Sequence, residues 1–255
     1  MTLPPAPVAV VLVVVALLGG VGITAVGPGG VFVTIALYAL TSADPATVAG
    51  TASATFVATG VLGALAYARS GELADPWGRR AAVALSVAGI VGALVGVWLN
   101  GFVSTEGYGV LLGIVVALSG VLVWWRSRVS PGGGTDGSTP GMVVVGTLGF
   151  GVGVLSGLLG VGGPVLAVPL LVAVGAPMLQ SVAIAQVQSV FIAAFATAGY
   201  LVRGAVSPEL AVLVGVPELV GVVVGWRVAH SVDAIRLKRA LAALLVALGP
   251  YLALR

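Results

Sequence analysis

Polar side chains inside long apolar runs are the residues of this chain that could do chemistry. Thr51, Thr55 and Thr59 are spaced by four, which places their hydroxyl groups on one face of a helix. Uncharged donors suit an anion that is bound and then released, because a fixed cation in a low dielectric would hold it too tightly. The candidate substrate-binding residues in these runs are Thr51, Ser53, Thr55, Gln186, Gln188 and Ser189.

These side chains have two interpretations. Threonine hydroxyls often bond to carbonyls of their own helix, so a ligand role and a structural role are equally supported for Thr51 and Thr55. The amides of Gln186 and Gln188 are costlier to bury unpaired, which favours a position along a polar pathway.

Ionisable residues are sparse. Glu218 is the one carboxylate deep within a predicted span, and an intramembrane acid is by default a functional candidate. It could carry a proton, or it could be a neutral, hydrogen-bonded structural residue. His230, the sole histidine, is expected in solvent beside Arg227 and Asp233. The chain has no cysteine, and its pattern predicts neither a metal nor a cofactor.

The composition predicts an all-α polytopic membrane protein. Hydrophobic residues make up 59% of the 255 residues and charged residues only 7%. Apolar runs long enough to cross a hydrocarbon core of about 30 Å recur along the chain. The alternating pattern of a transmembrane barrel is missing, so the spans are helical. The basic residues lie singly or in short clusters between apolar runs, which argues against a nucleic acid partner.

The apolar runs form about eight blocks in two similar sets. The first set lies near 7–40, 46–68, 80–100 and 107–125, and the second near 142–174, 178–202, 208–229 and 234–254. A linker loop at 126–141, rich in Gly, Ser, Thr and Pro, separates a first membrane repeat at 1–125 from a second at 142–255. A shift of 133 positions carries the glycine cluster of the first set onto that of the second, and Tyr67 onto Tyr200. Such duplication is common among transporter folds.

A glycine-rich motif breaks the first block of each repeat into a helix and a half-helix. The pieces after "GPGGV" and "GVGGP" have about 12 residues and cover only about 18 Å, so they begin inside the membrane. Lipid cannot satisfy the free N–H groups of such a terminus, whose partial positive charge favours an anion. The predicted anion-binding glycines are Gly27, Gly29, Gly30, Gly160, Gly162 and Gly163.

The alternative is that these glycines only allow two helices to cross closely. Close helix packing is the preferred interpretation for two other pairs, Gly92 with Gly96 and Gly221 with Gly225, whose members are four residues apart.

The two glycine-rich breaks, each followed by a polar-dotted span that ends in "YARSGEL" or "YLVRGAV", resemble the TauE/SafE sulfite exporter family, also called TSUP permeases. The resemblance covers essentially the whole chain. It implies about eight spans in two repeats and the movement of sulfite, sulfonates or related small organic anions. Pro28 inside the first motif and Glu218 after Pro217 depart from the family's pattern.

We therefore expect a multi-pass secondary transporter of the cell membrane, a permease or exporter for a small anion. Neither an enzyme nor a cofactor is expected, since catalysis usually needs clustered carboxylates, histidines or a metal. The alternatives are a non-transporting membrane subunit or an intramembrane enzyme. The expected partners are the anion and the lipid bilayer, and assembly with further copies of the chain is left open.

The repeats are either parallel or inverted. With eight full crossings, seven basic residues lie on the N-terminal side and four on the other. If each half-helix also completes a crossing, nine lie on one side and two, Arg203 and Arg255, on the other. The positive-inside rule prefers this inverted arrangement, with both termini outside.

Overall fold

The computed structural model describes residues 4–129 and 140–231, with side chains described for 4–122 and 140–228. All regular secondary structure in these residues is helical. The helices are α1 (Ala6–Ala25), α2 (Val31–Leu40), α3 (Pro45–Ser70), α4 (Pro76–Asn100), α5 (Thr105–Val129), α6 (Met142–Leu159), α7 (Pro164–Ala173), α8 (Met178–Val202) and α9 (Pro208–Ser231). A short 3₁₀ turn, Pro28–Gly30, precedes α2.

Seven of the described helices are long and apolar enough to cross a membrane: α1, α3, α4, α5, α6, α8 and α9. The protein therefore spans the membrane, and the described part of the chain is all helical, as its composition predicts. The predicted block at 234–254 and most of the predicted linker lie outside the described residues.

Aspartates begin two of the spans at the membrane surface. Asp44 accepts hydrogen bonds from the main-chain N–H groups of Ala46 and Thr47, each at 3.0 Å, and Pro45 takes the first helical position. Asp75 caps α4 in the same way, through Trp77 and Gly78. Partial burial opposes the charge of Asp44, but the hydrogen bonds from Thr47 and Ala46 outweigh it and hold its pKa below the ordinary 3.8.

Glycines allow two pairs of helices to pack backbone to backbone. Gly221 and Gly225 of α9 lie against the carbonyl oxygens of Leu17 and Val21 in α1. A Cβ atom at either glycine would overlap that oxygen. Both numbers rise together, so α1 and α9 run parallel.

Helices α4 and α6 pack in the same manner. Gly92 and Gly96 lie against the carbonyl oxygens of Phe150 and Val154. The predicted role of both glycine pairs in close helix packing is confirmed. In the centre, α3 and α8 run antiparallel, since Gly50 lies against Tyr200 and Gly60 against Val190.

One end of the bundle, here called the Asp75 end, gathers four loops or helix termini. Gln180 Nε2 at the start of α8 donates to Asp75. Trp77 Nε1 donates to the carbonyl oxygen of Pro140 at 3.1 Å, just before α6. Trp226 Nε1 of α9 donates to Ser70 Oγ of α3 at 3.3 Å. Helices α3 and α9 therefore finish at this end, whereas α4, α6 and α8 begin there.

The opposite end is here called the Arg203 end. Arg203, just after α8, donates to the carbonyl oxygen of Val97 in α4 at 2.6 Å. Tyr38 of α2 donates to the carbonyl oxygen of Thr105 at 3.1 Å, where α5 begins. Helix α9 begins at the Arg203 end, after Ser207. Since α1 is parallel to α9, α1 also begins at the Arg203 end. Helix α2 then returns to the same end. Helix α6 enters from the Asp75 end, and the chain is back at that end when α8 begins.

Candidate functional site

Both glycine segments lie in the buried centre of the bundle, between helices rather than within one. Gly27 has a φ of 110°, and the 3₁₀ turn that follows leads into α2. Gly160 and Gly162 have φ of 63° and 77°, and α7 begins at Pro164. Only glycine adopts these left-handed conformations readily, so the sequence forces a change of direction at both places.

Three of the predicted anion-binding glycines lie tightly against neighbouring atoms, two of them against backbone and Gly27 against a side chain. A Cβ atom at Gly29 would overlap the backbone of α1 at Gly19 and Ile23, and one at Gly160 would overlap the backbone of Ala49. A Cβ atom at Gly27 would lie 2.8 Å from Val168 of α7. Thr34 of α2 also donates a hydrogen bond to the carbonyl oxygen of Gly160. At these positions the structure shows the close approach that the alternative interpretation expects.

The other three glycines surround one aromatic ring and one amide. A Cβ atom at Gly30 would lie 2.9 Å from the ring of Phe56, and one at Gly162 would lie 3.2 Å from the same ring. Phe56 of α3 therefore fills the space between the two glycine segments. Sequence analysis missed this residue, although it stands directly after Thr55 in a stretch of small side chains.

The start of α7 carries free main-chain donors. Among the residues that the structure describes, nothing accepts a hydrogen bond from the N–H groups of Gly162, Gly163 or Val165. Pro164 has no N–H group. The α7 terminus thus combines unmatched donors with the positive end of a helix dipole.

Gln188 of α8 faces this terminus. Its side chain is fully buried, and its Oε1 atom has no hydrogen-bond partner among the described residues. A Cβ atom at Gly163 would lie 3.2 Å from that oxygen. Gln188 Nε2 makes only a long bond of 3.4 Å, to the carbonyl oxygen of Leu85. A buried amide with an unused acceptor and a weakly held donor is suited to reorient towards a ligand.

A small cavity adjoins the α7 terminus and has room for about one water molecule. The hydroxyl-bearing residues Ser53 and Ser156 line it, and the Ser156 hydroxyl has no partner in the described part of the chain. Phe56 forms part of its wall. Its other lining residues are Gly162, Gly163, Ile192, Ala193 and Ala196.

Of the remaining predicted hydroxyl and amide residues, Thr51 and Gln186 bond to other elements, whereas Thr55 bonds within its own helix. Thr51 Oγ1 accepts a bond from the main-chain N–H of Ser207 at 3.0 Å. Thr55 Oγ1 donates within α3, to the carbonyl oxygen of Ala52 at 2.9 Å. Gln186 Nε2 donates to the carbonyl oxygen of Ile23 at 3.2 Å, at the end of α1. Ser189 is buried beside Gly163. Gln186 and Gln188 thus lie in different places although both are buried.

Glu218 lies about 15 Å into α9, near the middle of the bundle. It is fully buried, and neither carboxyl oxygen has a hydrogen-bond partner among the described residues. Thr55 of α3 is its polar neighbour, and the methyl group of Thr55 also contacts α9 at Gly215. The described residues contain no cluster of His, Cys, Asp and Glu that could hold a metal.

Two tyrosines show the same hydrogen bond at two places. Tyr67 Oη donates to the carbonyl oxygen of Thr24 at 2.6 Å, at the end of α1. Tyr200 Oη donates to that of Gly157 at 2.7 Å, at the end of α6. A shift of 133 positions converts the first pair into the second. Both bonds satisfy carbonyl groups that a helix end leaves open inside the membrane.

The sequence profile of the Sulfite exporter TauE/SafE family matches residues 11–252, nearly the whole chain. The chain belongs to this family. The resemblance found from the glycine-rich breaks is thereby confirmed, and TauE/SafE membership implies a membrane permease. No curated protein and no solved structure matches the chain.

Proposed function

We propose that this TauE/SafE protein is a secondary transporter of a small anion, such as sulfite, a sulfonate or a related organic anion, in the cell membrane. The observation that carries the proposal is the α7 terminus, where free N–H groups face the Gln188 side chain, whose Oε1 atom has no partner among the described residues. An anion there would receive hydrogen bonds from Gly163, Val165 and the reoriented Gln188 side chain. Ser53 and Ser156 add hydroxyl groups from the cavity wall.

The proposed architecture is two inverted repeats, each opening with a helix and a half-helix. The equivalent tyrosine bonds support the duplication, as do the packed pairs Leu17 with Gly221 and Phe150 with Gly92. Leu17 becomes Phe150 by the shift of 133 positions, and Gly92 becomes Gly221 by a shift of 129 positions, about one helical turn less. The inversion is supported by α1 and α6, which enter the bundle from opposite ends.

The inverted arrangement assigns an orientation. It places nine of the 11 basic residues at the Asp75 end and leaves Arg203 and Arg255 at the other. By the positive-inside rule the Asp75 end faces the cytoplasm. A reporter fused after Arg255 should therefore give an external signal, and a cytoplasmic signal would contradict the inversion.

Phe56 is the proposed gate of the site. It fills the space between Gly30 and Gly162, and the adjoining cavity is too small for sulfite. Binding therefore needs movement of α3, which carries Phe56, relative to the α7 terminus. Motion of one repeat against the other would open the site to each side in turn.

Uptake by proteoliposomes tests the proposal. Purified protein is screened against sulfite, thiosulfate, methanesulfonate and acetate. The test variant is Gly163→Ala. The φ of −57° at Gly163 is one that alanine adopts readily, but the added methyl group would lie against Gln188 and Ile192. The control is Gly151→Ala in α6, where nothing lies within 4 Å of an added Cβ atom.

The expected result is saturable uptake of at least one anion, lost in Gly163→Ala and kept in Gly151→Ala, with equal yields of folded protein. Absence of uptake for every anion, or full uptake by Gly163→Ala, would overturn the proposal.

A further inference from the structure

The packed helix pairs show which residues of the two halves are equivalent. Gly20 of α1 lies against the carbonyl oxygen of Glu218 in α9. Gly153 of α6, which is Gly20 shifted by 133 positions, lies against the carbonyl oxygen of Gly89 in α4. Glu218 therefore occupies the place in one half that Gly89 occupies in the other.

The neighbours of these two residues are equivalent as well. Thr55 of α3 lies beside Glu218, and Gln188 of α8 lies beside Gly89, with Nε2 at 3.1 Å from where a Cβ atom would be. The shift of 133 positions converts Thr55 into Gln188. Each half thus has one slot in which a small residue, Thr55 or Gly89, lies beside a long planar side chain, Glu218 or Gln188. The long side chain is a carboxyl group in one slot and a carboxamide in the other.

Among the residues that the structure describes, none places a charge beside Glu218 that would balance a carboxylate. Of the described helices, α1 and α3 pack against α9. Helix α1 carries no ionisable side chain. On α3, Tyr67 and Arg69 lie more than about 15 Å away along the helix, as judged from its rise per residue. On α9 itself, Glu209 and Arg227 lie near the two ends. A buried carboxylate without a partner is costly inside a membrane, so this slot suits the neutral, protonated acid.

We propose that the two slots bind different transported ions: Glu218 carries one proton, and Gln188 contacts the anion. This inference rests on the proposed anion transport. The two sites are linked through α3, because Thr55 beside Glu218 precedes Phe56 beside Gly162. A negative charge at the α7 terminus disfavours a second negative charge on Glu218, so anion binding and protonation favour each other. The anion and the proton therefore cross in the same direction, and the proton returns to water from the Glu218 carboxyl group when its slot opens.

The test uses a permanently ionised anion, methanesulfonate or thiosulfate, whichever the screen finds transported. Sulfite is unsuitable because its own protonation changes near neutral pH. Proteoliposomes contain a pH-sensitive dye, and both anion uptake and internal pH are recorded. For the wild-type protein, an inward proton gradient should raise uptake about fivefold or more, the lower range of coupling between two sites. An inward anion gradient should acidify the interior.

Glu218→Gln places in this slot the amide that the equivalent slot already holds. Its uptake should no longer respond to the proton gradient, and its anion flux should no longer acidify the interior. Exchange of internal for external anion should remain within about twofold of wild type, since it needs no net proton movement. Glu209→Gln changes an exposed glutamate on the same helix and should keep the coupling.

Two results would overturn the proton role: wild-type uptake that is indifferent to the proton gradient, or coupling that survives in Glu218→Gln. The wild-type recordings decide this even if the variant does not fold. Failure of anion transport in every form would instead count against the proposed function.

Discussion

Replacement of Gln188 by leucine separates a ligand role from a structural role of this amide. Leucine has a similar volume and no polar atoms. The substitution removes an acceptor, Oε1, that has no partner in the described structure, and a donor whose one bond is 3.4 Å long. The Leu85 carbonyl that loses this bond lies within α4, where helical hydrogen bonding is available to it.

The structure sets the expected magnitudes. An unsatisfied buried polar group costs about 1–3 kcal/mol, and the long bond to Leu85 returns less than about 1 kcal/mol. The free energy of unfolding of Gln188→Leu should therefore equal or exceed that of the wild type. A hydrogen bond to a charged ligand contributes about 1.5–3 kcal/mol, so the anion affinity should fall about 10- to 150-fold.

Gln186→Leu is the matched comparison, two residues away on the same helix. It removes the 3.2 Å bond to the carbonyl oxygen of Ile23, which lies at the open end of α1. Gln186 Oε1, like Gln188 Oε1, has no partner among the described residues, so the two variants differ in the donor bond that each loses. The bond of Gln186 is the shorter one and contributes about 0.5–1.5 kcal/mol, so Gln186→Leu should be the less stable of the two variants. Anion affinity and thermal unfolding are measured on both purified variants. The reasoning is refuted if Gln188→Leu is the destabilised variant and keeps wild-type affinity.

Three further predictions concern the gate, the helix ends and the surface. Phe56→Ala should widen the site, so that proteoliposomes transport larger sulfonates, at a cost of about 3–5 kcal/mol in thermal unfolding; unchanged selectivity would contradict a gate. Tyr67→Phe should lower the free energy of unfolding by about 1–3 kcal/mol by freeing the carbonyl of Thr24, and no change would show that another donor replaces the hydroxyl. Asp44→Ala should cost about 1 kcal/mol at neutral pH. Because the pKa of Asp44 is lowered in the folded state, that contribution is present above pH 3.8 and disappears as the pH falls through the folded value, so an unfolding series across pH should show the two proteins converge in acid.

Hydropathy and glycine content predicted much of the fold. The apolar runs predicted the membrane helices. The glycine pairs that begin at Gly92 and Gly221 predicted where the backbones of two helices come into contact. These signals are local: the length of an apolar run and the missing side chain of a glycine have the same effect whichever helix packs beside them. The predicted repeat pairs Tyr67 with Tyr200, and each of these tyrosines donates a hydrogen bond to a carbonyl group at a helix end.

The candidate site was less predictable because its members depend on which helix face meets which neighbour. Gln186 and Gln188 have the same chemistry, yet one holds the end of α1 and the other faces α7. The six glycines look alike in sequence, but Gly29 packs against α1 and Gly163 faces the amide. Phe56 carried no polar signal, so a search for hydrogen-bonding groups passed over it.

The central claim is that an anion binds at the start of α7, deep in the bundle. The direct measurement is a structure of the protein with selenite, whose selenium locates the ion by anomalous scattering. The account predicts one selenium peak with its oxygens about 3 Å from the main-chain nitrogen of Gly163 and from the Gln188 side chain. A peak only at the water boundary, such as beside Arg203, with the α7 terminus empty, would contradict it.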